Sequence, residues 1–254
     1  MKNRMIFLVL LVVLFNQCFV VNASDDRPFY IHTCSVDPNI LFEMINLKLP
    51  EEGHTLTRFD CIKLIVESQY NKKDQYSEDK LNSILEKSWK FKFEDWNEMT
   101  LEEKNIVFFA RDFWIFFGEE HDGKLYANLD EPLTYYQALI FLMRWYYDNC
   151  YALCESPTRY DWDGMHTNWL DYAEMIGILY GRIPNEIVPI NATTLNITEA
   201  FKLSIEQKKN EPISLDDFKD FLCNTLLAPT YDAEYRSLQQ SSILNKVFLL
   251  KIRY

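Results

Sequence analysis

The side chains able to do chemistry are abundant in one class and sparse in the others. The chain carries 38 Asp+Glu against 26 Lys+Arg, with 4 His and 6 Cys in 254 residues. Glycoside hydrolysis asks for only two placed carboxylates; with 38 available, no pair is singled out. His32, His54, His121 and His166 never fall in an H-E-x-x-H or comparable metal spacing. Asp161-x-Asp163-Gly164 has the start of a calcium loop but not its spaced oxygen ligands or closing Glu, so it reads as a turn. No G-x-S-x-G elbow, P-loop or G-x-G-x-x-G occurs, and 6 Gly leave little material for a phosphate cradle. Tyr160, Trp162 and Trp169 cluster in one loop region and form the candidate carbohydrate platform. The expectation is no catalytic set, no metal site and no cofactor.

The charge balance excludes further classes. A formal charge of −12 leaves no basic face for nucleic acid and disfavours an anionic membrane surface. With 48% hydrophobic residues and 39 aromatics, the chain can build a sizeable core and is not a disordered linker. Its first residues read as an address. Lys2 and Arg4 precede the apolar run from Met5 to Phe15, and Val21-Asn22-Ala23 offers a cleavage site. That run is short for a transmembrane helix, which wants about 20 residues, so residues 1–23 are expected to be a cleaved signal peptide. Cleavage would remove two basic and no acidic residues, taking the charge from −12 to −14. It would also leave Cys34, Cys61, Cys150, Cys154 and Cys223, an odd set. Cys150 and Cys154 are four apart on an expected helix, a strained spacing for a disulfide. The cysteines are therefore read as small buried hydrophobes.

Helical periodicity dominates the elements that must position any site. Helices are expected over Phe59–Tyr70, Leu81–Trp89, Leu101–Phe117, Tyr135–Tyr151, Trp169–Leu179, Glu199–Lys208 and Leu215–Leu227. Tyr135–Tyr151 is apolar and aromatic on most faces and should be central and buried. Trp114 and Trp145 are expected inside helices. No stretch alternates with period 2, so the fold is read as all-α with a few short extended pieces. Residues 71–80, rich in Lys, Asp and Glu, read as a polar insertion, and residues 229–254 as a C-terminal arm ending in an apolar piece around Val247–Leu250.

Three helix starts share one pattern. Leu56-Thr57-Arg58-Phe59-Asp60, Leu133-Thr134-Tyr135-Tyr136-Gln137 and Ile213-Ser214-Leu215-Asp216-Asp217 each place an aliphatic residue before a hydroxyl, and Asp or Gln three residues after it. That is the arrangement of a capping box, in which hydroxyl and acceptor satisfy each other's backbone N–H groups. Leu56, Leu133 and Ile213 lie 77 and 80 residues apart, as in an internal repeat. Ile197-Thr198-Glu199-Ala200 is a rival third start. Ahead of the starts come Phe93-Glu94-Asp95, a helix ending at Phe117-Gly118, and Asp122-Gly123-Lys124-Leu125-Tyr126; ahead of the third come Trp169–Ala173 and Gly177-Ile178-Leu179-Tyr180-Gly181.

In this order of elements the chain resembles the S-layer homology (SLH) family. That family's repeat has an aromatic-x-Asp start, a Trp-Ala helix, a Gly-Ile-x-x-Gly turn, an Asp-Gly-x-aromatic loop and an Ile/Leu-Thr-Arg motif opening a long helix. Leu56-Thr57-Arg58 matches the last element fully, Leu133-Thr134-Tyr135 without the Arg. The resemblance covers about residues 55–227 and implies three helical repeats in a pseudo-threefold bundle within a domain of residues 24–228. It also implies a bacterial surface protein held on secondary cell-wall polysaccharide, with the motif Arg gripping an anionic sugar ketal bidentately. Carried over residue by residue, it marks Thr57 and Arg58, then Thr134 and Tyr135, as ligand-binding; Trp162 and Trp169, from the aromatic cluster above, join them as the candidate platform. Tyr135, Glu199 and Leu215 stand where the other copies would carry Arg. Arg58 is either a binding residue or an exposed residue in the first turn of its helix.

The sequence therefore leads to a secreted or cell-surface, non-enzymatic protein that binds cell-wall polysaccharide. Two alternatives stand beside it: a helical scaffold for contact with other surface proteins, and an extracellular hydrolase.

Overall fold

A computed structural model describes residues 38–45, 47–69, 75–87, 92–149, 173, 202–227, 229–232 and 237–242. Residues 1–23, the expected signal peptide, and residues 243–254 of the expected arm lie outside them. The described part is mostly helical: α1 Pro38–Met44, α2 Arg58–Gln69, α3 Glu78–Lys87 and α4 Leu101–Asp112 come first. The hairpin β1 Glu119–His121 and β2 Lys124–Tyr126 follows, then α5 Tyr135–Asn149. Residues 202–208 form α6. The last elements are α7 Leu215–Leu227 and the strands β3 Pro229–Asp232 and β4 Ser237–Ser242. Among the described residues no helix is long and apolar enough to cross a membrane.

The helices pack as their apolar spacing requires. α2 lies against α4 and α5, α3 against α4, and α5 and α1 against α7. One continuous core runs through them, with Trp145, Phe93, Phe116 and Phe218 its largest fully buried side chains. α5 is the central helix: Ala138, Leu139, Leu142, Met143 and Trp145 have no exposed surface. Cys61 and Cys223 are buried, as small apolar residues are. Burial, and the neighbouring Asp60 charge, push the Cys61 thiol well above its usual range.

Residues 78–80, expected in the polar insertion, form the first turn of α3, and residues 71–74 lie outside the described part. Two features hold α3 on α4. Asn105 donates from Nδ2 to the Tyr76 carbonyl (3.0 Å) and accepts from the Tyr76 N–H (2.7 Å). The largely buried Lys104 places Nζ 2.6 Å from Glu78 Oε1.

α4 opens on a full capping box: the Glu103 N–H donates to Thr100 Oγ1 (3.3 Å) and the Thr100 N–H to Glu103 Oε2 (2.6 Å). Thr100→Ala should cost about 1 kcal/mol, and Thr100→Ser should restore it. The urea midpoint of the three proteins is the check, and equal midpoints for wild type and Thr100→Ala would contradict it.

α4 ends earlier than its apolar stripe implies. The Trp114 N–H bonds the Arg111 carbonyl (2.9 Å) and the Ile115 N–H bonds the Ala110 carbonyl (2.9 Å), with Trp114 left-handed at φ 61°. That is a Schellman close with Trp where Gly is usual, so Trp114 sits beyond the helix, not inside it. Gly118 does not cap this helix. At φ 75° it admits the chain to β1, packed between Phe93 and Tyr126.

Two small sheets are the short extended pieces that accompany the helices. β1 pairs antiparallel with β2 around Asp122 (φ 53°) and Gly123 (φ 75°). Two consecutive left-handed residues make the tight turn whose twist suits a hairpin, and Asp-Gly supplies them at low cost. β3 pairs antiparallel with β4, with a register shift between Thr230 and Tyr231. Part of the expected C-terminal arm is therefore a hairpin.

Candidate functional site

The three helix starts meet. The Leu133 N–H donates to the Leu56 carbonyl (2.8 Å), and the Ile213 N–H to the Leu133 carbonyl (2.8 Å). The Arg58 N–H donates to the Glu131 carbonyl and the Tyr135 N–H to the Glu211 carbonyl, each at 3.1 Å. Thr57 thus bridges Pro132 as Thr134 bridges Pro212, both antiparallel. The third start makes toward the second the bonds that the second makes toward the first. Leu56, Leu133 and Ile213 are buried at this seam. Of the two candidate third starts, the one at 213 takes part, and that at 197 lies outside the described residues.

Each hydroxyl is committed to its own helix. Thr57 N–H and Oγ1 both donate to Asp60 Oδ2 (2.8 and 2.9 Å), and the Asp60 N–H returns to Thr57 Oγ1 (3.2 Å). His54 Nε2 lies 2.8 Å from the same Asp60 oxygen. Thr134 and Gln137 form the reciprocal pair at 3.2 Å in both directions. Ser214 Oγ accepts from the Asp217 N–H (3.1 Å) and donates to Asp217 Oδ2 (2.8 Å). Thr57 and Thr134 are thereby capping residues.

Arg58 is not an exposed first-turn residue: it is 4% exposed. Its Nη2 donates to Glu119 Oε1 (2.7 Å) on β1 and to Glu131 Oε2 (2.5 Å) before the second start. Glu119 Oε1 also accepts from Gln137 Nε2 (3.1 Å), so one carboxylate ties the hairpin to both starts. Arg58 Nε is buried and has no acceptor. Tyr135, in the equivalent place of the second start, is buried and donates its hydroxyl to Asp217 on α7. Burial first, then the bond to Asp217 and its charge, push the Tyr135 phenol up to about 12. The folded state therefore favours the neutral phenol. Its contribution is intact below the unfolded value near 10 and is lost as pH rises from about 10 toward 12. Tyr135→Phe should cost about 1–2 kcal/mol at pH 7, since Asp217 keeps Ser214. It should also flatten the fall in thermal midpoint between pH 10 and 12; parallel pH curves for wild type and Tyr135→Phe would refute that assignment.

Beside this seam the surface opens. A hollow of about 560 Å³ is lined by His121, Asp122, Lys124, Tyr126, Asn128 and Glu131. A second, of about 380 Å³, shares Tyr126, Asn128 and Glu131 and adds Glu94, Asp95, Glu98 and Asp130 among others. Together they make one groove along the hairpin. Asp95 fixes its floor by accepting from the N–H groups of Ala127 (3.0 Å) and Asn128 (2.9 Å). Asn128 is left-handed at φ 48°, a conformation Asn tolerates. Among the described residues no three His, Cys, Asp or Glu side chains converge to hold a metal ion.

The groove offers a tyrosine face, an amide, an imidazole and carboxylates, a lining suited to hydroxyl-rich ligands. Arg58 stands behind it through Glu131. Thr134 and Tyr135 belong to the seam. Trp162 and Trp169 lie outside the described residues. The groove's Tyr126 and Asn128 were not among the expected site residues. Asp122-Gly123 was the readable sign of the hairpin that raises them. Comparison with protein-family models, curated proteins and solved structures finds no match for this chain.

Proposed function

We propose that the chain is a secreted or cell-surface, non-enzymatic protein of SLH-like build whose hairpin groove binds cell-wall polysaccharide. What supports the reading is one observation: the same backbone pattern joins start 56–58 to 131–133 and start 133–135 to 211–213. Three helical repeats packed in one bundle are what the sequence resemblance implies, and the repeated, capped helix starts joined here are compatible with that arrangement. The groove opens beside the first of them, the one that retains the motif Arg.

Retention on purified bacterial cell-wall sacculi tests the reading. Wild type should be retained. Tyr126→Ala removes the aromatic face while leaving the strand backbone, and should weaken retention about tenfold, the equivalent of ~1.4 kcal/mol. No retention of folded wild-type protein would overturn the proposal.

A further inference from the structure

We infer that Glu119 and Glu131 determine the groove's specificity: together they occupy Nη2 of Arg58 and so turn away carboxylated glycans, leaving the groove to uncharged chains. The inference rests on the glycan reading above and names the ligand class within it. A guanidinium binds a carboxylate best side-on, through two parallel N–H groups. Here both protein carboxylates converge on one nitrogen, Nη2, at 2.7 and 2.5 Å. Nε, the neighbour that would complete a side-on pair, is buried without an acceptor. Arg58 therefore has the chemistry to hold a carboxylate, but two resident ones already stand in that place.

Two carboxylates on one guanidinium leave a local charge of about −1, by simple count. Glu131 itself lines the groove, and its side chain is 53% exposed, so the surplus charge faces the ligand side. Asp122 and Asp130 on the same walls have no hydrogen-bond or ion-pair partner among the described residues and add to that field. Lys124, the one lysine among the described residues that line the groove, lies 3.5 Å from Glu94. An anionic sugar would have to displace Glu119 or Glu131 and enter against this charge, whereas a neutral sugar meets hydrogen-bonding groups, the Tyr126 face and the apolar Met99 and Leu129 without that penalty.

The test uses purified sacculi in two forms, with their carboxylates intact and with the carboxylates capped as neutral amides. Wild-type protein should be retained about tenfold better on the capped form. The double variant Glu119→Gln/Glu131→Gln frees the guanidinium and should reverse the preference toward the intact form. Glu131→Gln alone, at a half-exposed position, should move in the same direction by a smaller factor if the double variant loses its thermal transition. Equal or better retention of wild type on intact sacculi overturns the inference and leaves the glycan reading standing. So does an unchanged preference in folded variants. Retention of wild type on neither form overturns the glycan reading and this inference with it.

Discussion

Gly118→Ala should destabilise the protein by about 2–5 kcal/mol. Two independent costs combine. A left-handed backbone costs a non-glycine residue about 1–2 kcal/mol, and Gly118 sits at φ 75°. The added methyl would also lie 2.4 Å from both Phe93 Cε1 and the Tyr126 carbonyl oxygen. Phe93 is fully buried and the Tyr126 carbonyl belongs to β2, so neither can yield without moving core or hairpin; overpacking of this kind costs about 1–3 kcal/mol. Gly123 separates the two terms. It has the same φ of 75° but nothing within 4 Å of where an alanine methyl would lie, so Gly123→Ala should show only the backbone part. Urea denaturation of the two variants gives the comparison. Equal losses at Gly118 and Gly123 would mean that the contacts with Phe93 and Tyr126 carry no weight.

Leu133→Ala should be comparably damaging, at about 3–5 kcal/mol. Leu133 has no exposed surface and lies between Leu56 and Ile213, bonded through its backbone to each. Truncation removes the apolar contacts of the middle residue and leaves a cavity where little can collapse into it. Leu133→Met keeps the volume and should cost less than about 1.5 kcal/mol. Chemical denaturation midpoints decide it, and a loss below about 1 kcal/mol for Leu133→Ala would show that the seam is not tightly packed.

Local chemistry made the helix starts readable. The aliphatic–hydroxyl–acceptor spacing marks the starts of α2, α5 and α7, and each hydroxyl engages the side chain or backbone three residues on. The end of α4 was not readable, because a tryptophan takes the left-handed position that glycine usually fills, and the apolar stripe continues past it to Phe117. The first hairpin was hidden for a related reason. Each of its strands has three residues, too few for alternation to register, so only Asp122-Gly123 announced it. The site was least legible. The partners of Arg58 lie 61 and 73 residues away, and Asp217 lies 82 residues from Tyr135. No local pattern reports pairings of that range. The sequence offered the arginine as a free hand for a ligand; the fold brings two glutamates to hold it.

The seam of helix starts also sets which parts of this chain cannot be separated. Leu133 gives its N–H to the first start and its carbonyl to the third. A truncation beginning after α2 would strip Leu133 and the Glu131 carbonyl of their partners. One ending before α7 would do the same to the Leu133 carbonyl. Either cut uncovers a short backbone edge next to buried leucines, the kind of surface that pairs with another chain when its own partner is missing. The three starts are therefore one indivisible unit, and a fragment intended to isolate the groove must keep Leu56, Leu133 and Ile213 together.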